Sequence, residues 1–173
     1  MAKIKLNNVR LSFPSLFRKS VYNGEETKFE ATFLLDKKTQ GDKIKEIEAA
    51  IAAAIKENLK GAKLGSDKIC FKNGDDFEYT GYAGHMSIKA SSNKRPLVID
   101  RDKSPLTEAD GRLYAGCRVN ATIELWAQNN TYGKRINANL LAVQFYKDDE
   151  SFADGEKGSV DDFEALDDEE EFL

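Results

Sequence analysis

Apolar and polar residues alternate from the start of the chain, over residues 3–13, as they do in a half-buried β-strand. The apolar positions are Ile4 and Leu6, followed after a change of phase by Val9, Leu11 and Phe13. The phase changes at Asn7-Asn8, and Pro14 ends the run. This pattern predicts a strand with a bulge or kink at the two asparagines.

A second strand and one helix follow. Residues 18–28 are polar and contain an Asn-Gly pair, which predicts a loop with a tight turn, and residues 29–35 alternate again as a strand. Residues 42–60 carry isoleucine and leucine at helical spacing with alanine between them, so we predict an amphipathic helix that packs on the sheet or barrel. Thr39 or Asp42 is expected to cap its start, and Gly61 suits its end.

The second half of the chain predicts several short strands and one long hairpin. Short strand-like segments occupy residues 69–71, 77–80, 82–90, 97–99 and 113–114. Residues 119–127 and 135–145 alternate on either side of a turn at residues 129–133, which indicates a hairpin. Many short strands with a single helix favour a β-rich fold that is α+β by content. We predict an OB-fold-like five-stranded barrel with one packed amphipathic helix and extra hairpins.

Charge divides the chain into two parts. Residues 148–173 contain 13 acidic residues and one lysine, a net charge of −12, whereas residues 1–147 contain 25 basic and 17 acidic residues, a net charge of +8. We therefore predict a folded, basic, DNA-binding domain over residues 1–147 and a disordered acidic C-terminal tail over residues 148–173. A basic body with an acidic tail points to a polyanionic partner.

The residue types needed for several other functions are sparse. The sequence contains no apolar run long enough to span a membrane, and the alternation of charged and apolar residues at its start leads us to expect no secretory signal. Cys70 and Cys117 are expected to be reduced, with a disulfide between them left open, and the lone His85 is expected to be structural. Asp75-Asp76 and the pair Asp100/Asp102 could ligate Mg²⁺ in a nuclease, but no spacing supports such a site. We therefore predict no enzymatic activity, no metal and no cofactor.

Binding of single-stranded nucleic acid requires cationic side chains for the phosphates and aromatic faces for the bases. Trp126 falls on the polar face of its strand and Tyr132 lies in the following turn, so both are candidates for stacking on bases. The candidate phosphate contacts are Lys89, Lys94, Arg95, Lys134 and Arg135. We expect single-stranded DNA to lie across the face formed by the last hairpin and residues 82–95.

Structural explanations stay open for these residues. Trp126 can be a core residue if a bulge breaks the alternation, and Tyr132 can pack on its own hairpin. The pairs Lys94-Arg95 and Lys134-Arg135 can be ordinary solvated loop residues. The net charge of +8 on residues 1–147 is the feature that favours a binding role for them.

The acidic tail ends in two apolar residues. The acids Asp167, Asp168, Glu169, Glu170 and Glu171 are followed by Phe172 and Leu173. We predict that this end binds partner proteins through the five acids and Phe172, and that the tail competes with DNA for the basic groove. The alternative is a solubilising tail whose last two residues have no role.

Two segments and the tail resemble a known family. The segments are Val9-Arg10-Leu11-Ser12-Phe13-Pro14-Ser15-Leu16-Phe17 and Lys28-Phe29-Glu30-Ala31-Thr32-Phe33-Leu34-Leu35-Asp36-Lys37. With the acidic end that carries Phe172, they are similar to tailed-bacteriophage single-stranded DNA-binding proteins with an OB fold, a family formerly catalogued as a domain of unknown function. The resemblance covers most of the chain. It implies an OB-fold barrel, sequence-tolerant DNA binding, a role in phage DNA replication, recombination and repair in the host bacterial cytoplasm, and a tail that contacts replication proteins.

These observations predict a protein that binds and protects single-stranded DNA as a monomer or homodimer. Its tail would recruit a polymerase, a helicase or a nuclease. The main alternative is an interaction or inhibitor protein that uses its acidic tail as a DNA mimic. A small Mg²⁺-dependent nuclease and a structural phage protein are further alternatives.

Overall fold

Nine strands and one α-helix make up the described part of the chain. The structure, a computed structural model, describes residues 2–153 and 163–166. In chain order the elements are β1 (Ala2–Ser15), β2 (Val21–Tyr22), β3 (Glu25–Glu26), β4 (Phe29–Asp36), α1 (Gly41–Asn58), β5 (Phe71–Asn73), β6 (His85–Ser92), β7 (Leu97–Ile99), β8 (Arg118–Asn130) and β9 (Gly133–Lys147).

Five of these strands close into a barrel. Antiparallel pairing joins β1 to β4, β4 to β6, β1 to β8 and β8 to β9. A parallel contact between β6 and β9, at Ser91 and Asn139, completes the circle. Strand β5 extends the sheet beside β6, and β7 extends it beside β9. The predicted OB-fold-like five-stranded barrel, with one helix and additional strands, is confirmed.

Two bulges interrupt β1, and the second was not predicted. At the first, Leu6 faces Ala121 while Val9 faces Val119, and Asn8 takes a φ of 54°, so the bulge predicted at the asparagines is confirmed. At the second, Ser12 faces Thr32 while Ser15 faces Glu30, and Phe13 takes a φ of 45°. An extra residue in one strand reorients the side chains that follow it.

Phe13 is the residue that this second bulge displaces. The prediction that Phe13 shares a buried face with Val9 and Leu11 was wrong, because its ring is 55% exposed while both of those residues are fully buried. Positive φ is uncommon for a residue other than glycine, and it is retained here where the ring reaches the outer surface.

The helix α1 packs on the barrel as predicted. Ile44, Ile47 and Ile51 are buried on one face of it, against β1, β8 and β9. The predicted cap was wrong, because Gln40 occupies the capping position and makes no side-chain cap. The amide of Gln40 donates instead to the carbonyl oxygens of Asn7 and Asn8, which ties the start of the helix to the first bulge.

Both predicted turns form hairpins. Asn23 and Gly24 take φ angles of 53° and 80° between β2 and β3, as a type I′ turn requires. The hairpin of β8 and β9 is tighter than predicted, since Asn130 pairs with Gly133 and only Thr131 and Tyr132 lie between the strands.

Two predicted strands do not form, and two others have different bounds. Residues 77–80 and 113–114 form no strand, and β6 begins at His85 rather than at residue 82. The predicted segment at residues 69–71 becomes β5 two residues later, while Ile69 makes only an isolated bridge to Ile136. Residues 77–82 leave the sheet because their aromatic rings pack on one another instead of pairing along a neighbouring strand.

The contacts of the barrel continue beyond β9. Residues 148–153 remain hydrogen-bonded to it, for example through the amide of Phe152 and the carbonyl of Ala115, 2.9 Å apart. The predicted division at residue 147 stays a prediction. The predicted disorder concerns a segment of which residues 154–162 and 167–173 lie outside the described residues.

The two cysteines and the helix were the subject of further predictions. Cys70 and Cys117 are both free thiols, as expected, and Cys117 is buried. Within the described ranges, the helix is not apolar and long enough to cross a bilayer.

Candidate nucleic-acid interface

A groove of about 570 Å³ lies over β4 and β6. Residues that line it alternate along both strands with buried apolar residues, so the groove follows the outer face of the barrel. The lining residues from these strands are Glu30 and Thr32 of β4 and Ser87, Lys89 and Ser91 of β6. Arg135, Asn137 and Ala138 of β9 and residues 67–70 and Lys72 complete this side of the groove.

Four aromatic rings cluster in the lining of the groove. They belong to Phe13, Phe77, Tyr79 and Tyr82, which we call the aromatic wall. The rings of Phe13 and Tyr79 meet edge to face with centroids 4.9 Å apart, and the rings of Phe77 and Tyr79 stack at 5.8 Å. Phe13 is 55% and Tyr79 is 52% exposed, so two aromatic faces are open to a ligand. Exposed rings held in a cluster are suited to stacking on planar groups.

Hydrogen bonds hold together the two ends of the loop that carries three of these rings. This aromatic loop comprises residues 74–84. The carboxylate of Asp75 accepts from the Gly84 amide at 2.8 Å and from the Lys37 ammonium at 2.7 Å. The side-chain oxygen of Asn73 accepts from the Asp75 amide at 3.0 Å and from Lys37 at 2.7 Å. These bonds lower the pKa of Asp75, with the Gly84 amide as the largest cause and Lys37 next, and keep both ends of the loop together.

Tyr82 joins the aromatic loop to the barrel. Its side chain is buried, and its hydroxyl lies 2.9 Å from the hydroxyl of Ser12, next to the second bulge of β1. Burial raises the pKa of the Tyr82 phenol, which therefore stays neutral at physiological pH. This contact connects the two segments that supply the aromatic wall.

Four cationic side chains line the groove, against two acidic ones. The cations are Lys68, Lys72, Lys89 and Arg135, and the acids are Glu30 and Asp67. Lys89 lies 3.3 Å from the Glu30 carboxylate, and a guanidinium nitrogen of Arg135 donates to the backbone carbonyl of Asp67 at 3.3 Å. The groove therefore has a net positive charge and suits an anionic ligand.

Cys70 is the only nucleophilic thiol among the lining residues. Burial raises its pKa to about 12, so the thiol is protonated and unreactive at neutral pH. The cationic and aromatic side chains beside it can bind a ligand that is both charged and planar.

Comparison with known proteins places the chain in a family. The family model described as Enterobacter phage Enc34, ssDNA-binding protein, matches residues 2–173. The chain belongs to the Enc34 ssDNA-binding protein family. A relative, protein p50 of Acyrthosiphon pisum secondary endosymbiont phage 1, is 43% identical over 99% of this chain and 98% of its own length.

Solved structures of the Enc34 protein superpose well on this chain. The single-stranded DNA-binding protein from bacteriophage Enc34 in complex with ssDNA has a TM-score of 0.79 and 35% identity, covering 87% of this chain and 89% of that one. A C-terminal truncation of the same protein has a TM-score of 0.75 and 39% identity, covering 86% and 88%. The resemblance drawn from the sequence is therefore confirmed.

In this member of the Enc34 family, two of the seven predicted DNA-binding residues line the groove. Lys89 and Arg135 are those two. Lys94 and Arg95 lie in the connection between β6 and β7 and are exposed. Arg95 donates to the Phe17 carbonyl at 3.2 Å and borders a separate groove beside β7. The DNA-binding roles of all seven residues stay predictions.

The other three predicted residues belong to the hairpin of β8 and β9. Trp126 is half-buried on the outer face of β8, opposite Asn137, which itself lines the groove. Tyr132 is 85% exposed in the two-residue turn, and Lys134 follows it at the start of β9. These residues flank the groove at the hairpin without lining it, and their roles stay predictions.

Sequence reasoning missed the aromatic wall. Phe13 was assigned to the core by its alternation, and residues 77–80 were interpreted as a strand. A usable signal was present, since Phe77, Tyr79 and Tyr82 stand among polar residues and glycines in a segment too short and polar to be a core strand. Lys68 and Lys72 carried no comparable signal, because basic residues are common in loops.

Two further predictions concern metals and the tail. Among residues 2–153 and 163–166, no group of three His, Cys, Asp or Glu side chains is placed to hold a metal ion. Asp75 instead anchors the aromatic loop, and Asp100 lies 3.5 Å from Arg112. The predicted partner-binding acids and Phe172 lie outside the described residues.

Proposed function

We propose that this protein binds single-stranded DNA in the groove between the aromatic wall and β4, β6 and β9. One observation carries the proposal: half-exposed Phe13 and Tyr79 line the same groove as four cationic side chains. Phosphates would lie along Lys68, Lys72, Lys89 and Arg135, and bases would stack on the two open rings.

The position of the groove supports this function. In the barrel, β4 and β6 are the second and third strands, and oligonucleotides bind OB folds on that face. The Enc34 family match and the Enc34 structure in complex with ssDNA agree with the same ligand. Stacking and phosphate contacts carry no base-specific hydrogen bonds, so binding would tolerate any sequence.

Fluorescence anisotropy with the full chain tests the proposal. Labelled oligo-dT should bind more tightly than labelled duplex, and the affinity should fall steeply with salt. The double variant Phe13→Ala/Tyr79→Ala should raise the Kd for oligo-dT by about tenfold or more, because each stacked base contributes roughly 1–3 kcal/mol. The matched control is Val21→Ala/Tyr22→Ala, which removes two exposed side chains of the β2–β3 hairpin and should leave the Kd unchanged.

Failure of oligo-dT to bind at low salt would overturn this function. It would favour the inhibitor alternative, in which the acidic tail captures a protein. A double variant that binds as the wild type does would move the binding site away from the aromatic wall.

The hairpin of β8 and β9 would extend the DNA path. Tyr132 and Lys134 at its tip offer a further ring and a further cation, and Trp126 lies across from a lining residue. Because Trp126 is the only tryptophan of the chain, its fluorescence reports on this region directly. Oligo-dT should quench it, and an unchanged emission at saturating oligo-dT would exclude the hairpin from the path.

The acidic tail would serve two purposes in phage replication, recombination and repair. It would compete with DNA for the groove, and its end would recruit a polymerase, a helicase or a nuclease. Phe152 packs against the aromatic loop, so residues 148–153 end next to residues that line the groove. A Phe172→Ala variant of the full chain should retain DNA affinity and lose capture of these enzymes in pull-down assays. Equal capture would remove the recruiting role.

A further inference from the structure

The six residues after β9 form a strap across the barrel. This C-terminal strap comprises residues 148–153. The carboxylate of Asp149 accepts from Arg118 at 2.8 Å and lies 3.6 Å from Arg10. The hydroxyl of Tyr114 lies 2.9 Å from the Asp149 carbonyl, and Arg10 donates to the Glu150 carbonyl at 2.6 Å. Hydrogen bonds to backbone carbonyls of the strap and ion pairs of the Asp149 carboxylate therefore hold the strap on the barrel.

The ring of Phe152 ends the contacts of the strap and lies against the aromatic loop. The Arg10 guanidinium covers the ring at 4.4 Å from its centroid. The ring also contacts Gly81 so closely that a Cβ there would overlap it, and Gly81 has a φ of 89°. A Cβ at Gly116 would likewise overlap the Glu150 carbonyl. Two glycines thus leave space for the strap, one of them within the aromatic loop.

Gly81 is the point at which the strap can influence the DNA groove. It directly precedes Tyr82, and the Tyr82 amide donates to the Tyr79 carbonyl at 3.2 Å across it. Asp75 fixes the two ends of the loop, whereas the turn between Tyr79 and Tyr82, whose rings contact each other, is contacted at Gly81 by Phe152. Phe152 is not among the residues that line the groove.

We propose that Phe152 is a positioning residue for DNA binding: its ring supports the turn at Gly81, next to buried Tyr82, and thereby holds the exposed ring of Tyr79 in the position that stacks on bases. The proposal rests on the proposed function and deepens it. A turn that is already ordered loses less conformational freedom on binding, which improves affinity without any contact to the DNA. Loss of the ring would weaken stacking and leave the cations in place.

The test compares two oligonucleotides of the same length with full-length variants. Oligo-dT offers phosphates and bases, whereas an abasic oligonucleotide offers phosphates alone. Phe152→Ala should weaken oligo-dT binding by about tenfold, within the range that one stacked base contributes, and abasic binding by less than about twofold. The slope of log Kd against log salt should not change, because that slope counts phosphate contacts.

Two further variants make the result specific. Phe163→Ala removes a ring that is 76% exposed further along the chain and should bind both oligonucleotides as the wild type does. Phe152→Leu keeps an apolar side chain over Gly81 and should restore most of the oligo-dT affinity. If Phe152→Ala does not fold, Phe152→Leu tests the proposal alone. It should then weaken binding of oligo-dT by a few fold and leave binding of the abasic oligonucleotide unchanged. Thermal melting of each variant shows which fraction is folded.

Each remaining outcome overturns the proposal. Equal losses for oligo-dT and abasic DNA would mean that Phe152 supports the whole fold rather than the stacking rings. Unchanged binding of both would mean that the aromatic loop needs no support from the strap. If the wild type does not distinguish oligo-dT from abasic DNA, stacking itself is absent, and this failure of the proposed function is visible without any variant.

Discussion

Lys89 is the cation of the groove whose surroundings are best defined. It is exposed on β6 with buried Ile88 and Ala90 on either side of it, and its only described ion pair is with Glu30 at 3.3 Å. We expect Lys89→Ala to weaken oligo-dT binding and to reduce the slope of log Kd against log salt by about 0.7, the value for one phosphate contact on a single strand. A salt series of anisotropy titrations measures both quantities. Lys45→Ala, on the exposed face of α1, is the control, and an unchanged slope for Lys89→Ala would remove Lys89 from the phosphate path.

Glu30 opposes the proposed ligand from within the groove. Its carboxylate neutralises Lys89 and would lie close to the DNA phosphates. We expect Glu30→Gln to increase oligo-dT affinity by about two- to fivefold, since exposed ion pairs are worth roughly 0–1 kcal/mol. Titrations at low salt measure the gain, which should shrink at high salt because screening weakens the repulsion. Weaker binding would instead indicate that Glu30 orients Lys89 toward the DNA.

At the residue scale, the sequence predicted the strand positions better than the ligand contacts. Lys89 was placed on the outer face by the apolar residues on either side of it, and that placement is correct. Phe13 was misplaced because an unpaired residue in β1 reverses the face after Ser12, and a bulge is determined by the register with β4. Such a register depends on contacts between segments distant in the sequence.

Gly74 controls the closure of the aromatic loop. A Cβ at this position would overlap the carbonyl oxygens of Tyr82 and His85, which are backbone atoms and cannot simply rotate away. We expect Gly74→Ala to destabilise the fold by about 1–3 kcal/mol, the usual cost of overpacking, and to weaken oligo-dT binding. Urea unfolding and anisotropy measure the two effects. Gly41→Ala, where a Cβ meets open space at the start of α1, is the matched control and should lower neither quantity.

The hydrogen bond that joins the two ends of the aromatic loop is expected to break at low pH. The Gly84 amide, followed by Lys37, lowers the pKa of Asp75 from its ordinary value of 3.8. A carboxyl of lowered pKa contributes stability that is fully present above its unfolded pKa and is lost as pH falls through the folded pKa. The NMR signal of the Gly84 amide should therefore titrate with a midpoint below pH 3.8, and Asp75→Asn should abolish the transition. A midpoint at or above 3.8 would show that the hydrogen bond to Gly84 does not persist in solution.

At the scale of elements, periodic segments were predictable and the aromatic loop was not. The helix α1 and the β8–β9 hairpin repeat their apolar residues at fixed spacing, which a linear sequence displays directly. The aromatic loop has no period. Its shape comes from Asp75, Gly74 and Tyr82, which contact Lys37, His85 and Ser12 from other parts of the chain.

At the scale of the molecule, the acidic segment is attached to the basic domain next to the aromatic loop. The described strap ends at Ala153, directly after Phe152 has packed against the aromatic loop, and ten acids with a single lysine follow it in the sequence. Since the groove is lined by four cations and two acids, we expect a polyanion tethered next to the aromatic loop to compete with DNA at a high local concentration. The difference in charge between body and tail was evident in the sequence, whereas the point of attachment beside Gly81 required the structure.

We expect a full-length variant with every acid after Ala153 replaced by its amide to bind oligo-dT roughly tenfold more tightly than the wild type at low salt. The gain should vanish near 1 M salt, where the screening length is about 3 Å. The acids of the strap are kept, because Asp149 holds the strap through Arg118 and its removal would disturb the aromatic loop as well. Anisotropy titrations over a salt series measure the effect.

A tail with residues 154–173 in scrambled order provides the control, because it retains the charge and length of the natural segment. Competition by charge alone requires the scrambled tail to match the wild type at every salt concentration. If scrambling increases affinity as much as neutralisation does, the tail occupies the groove through a specific sequence. If neutralisation leaves the affinity unchanged at low salt, the acids do not reach the groove, and the attachment beside Gly81 serves the aromatic loop alone.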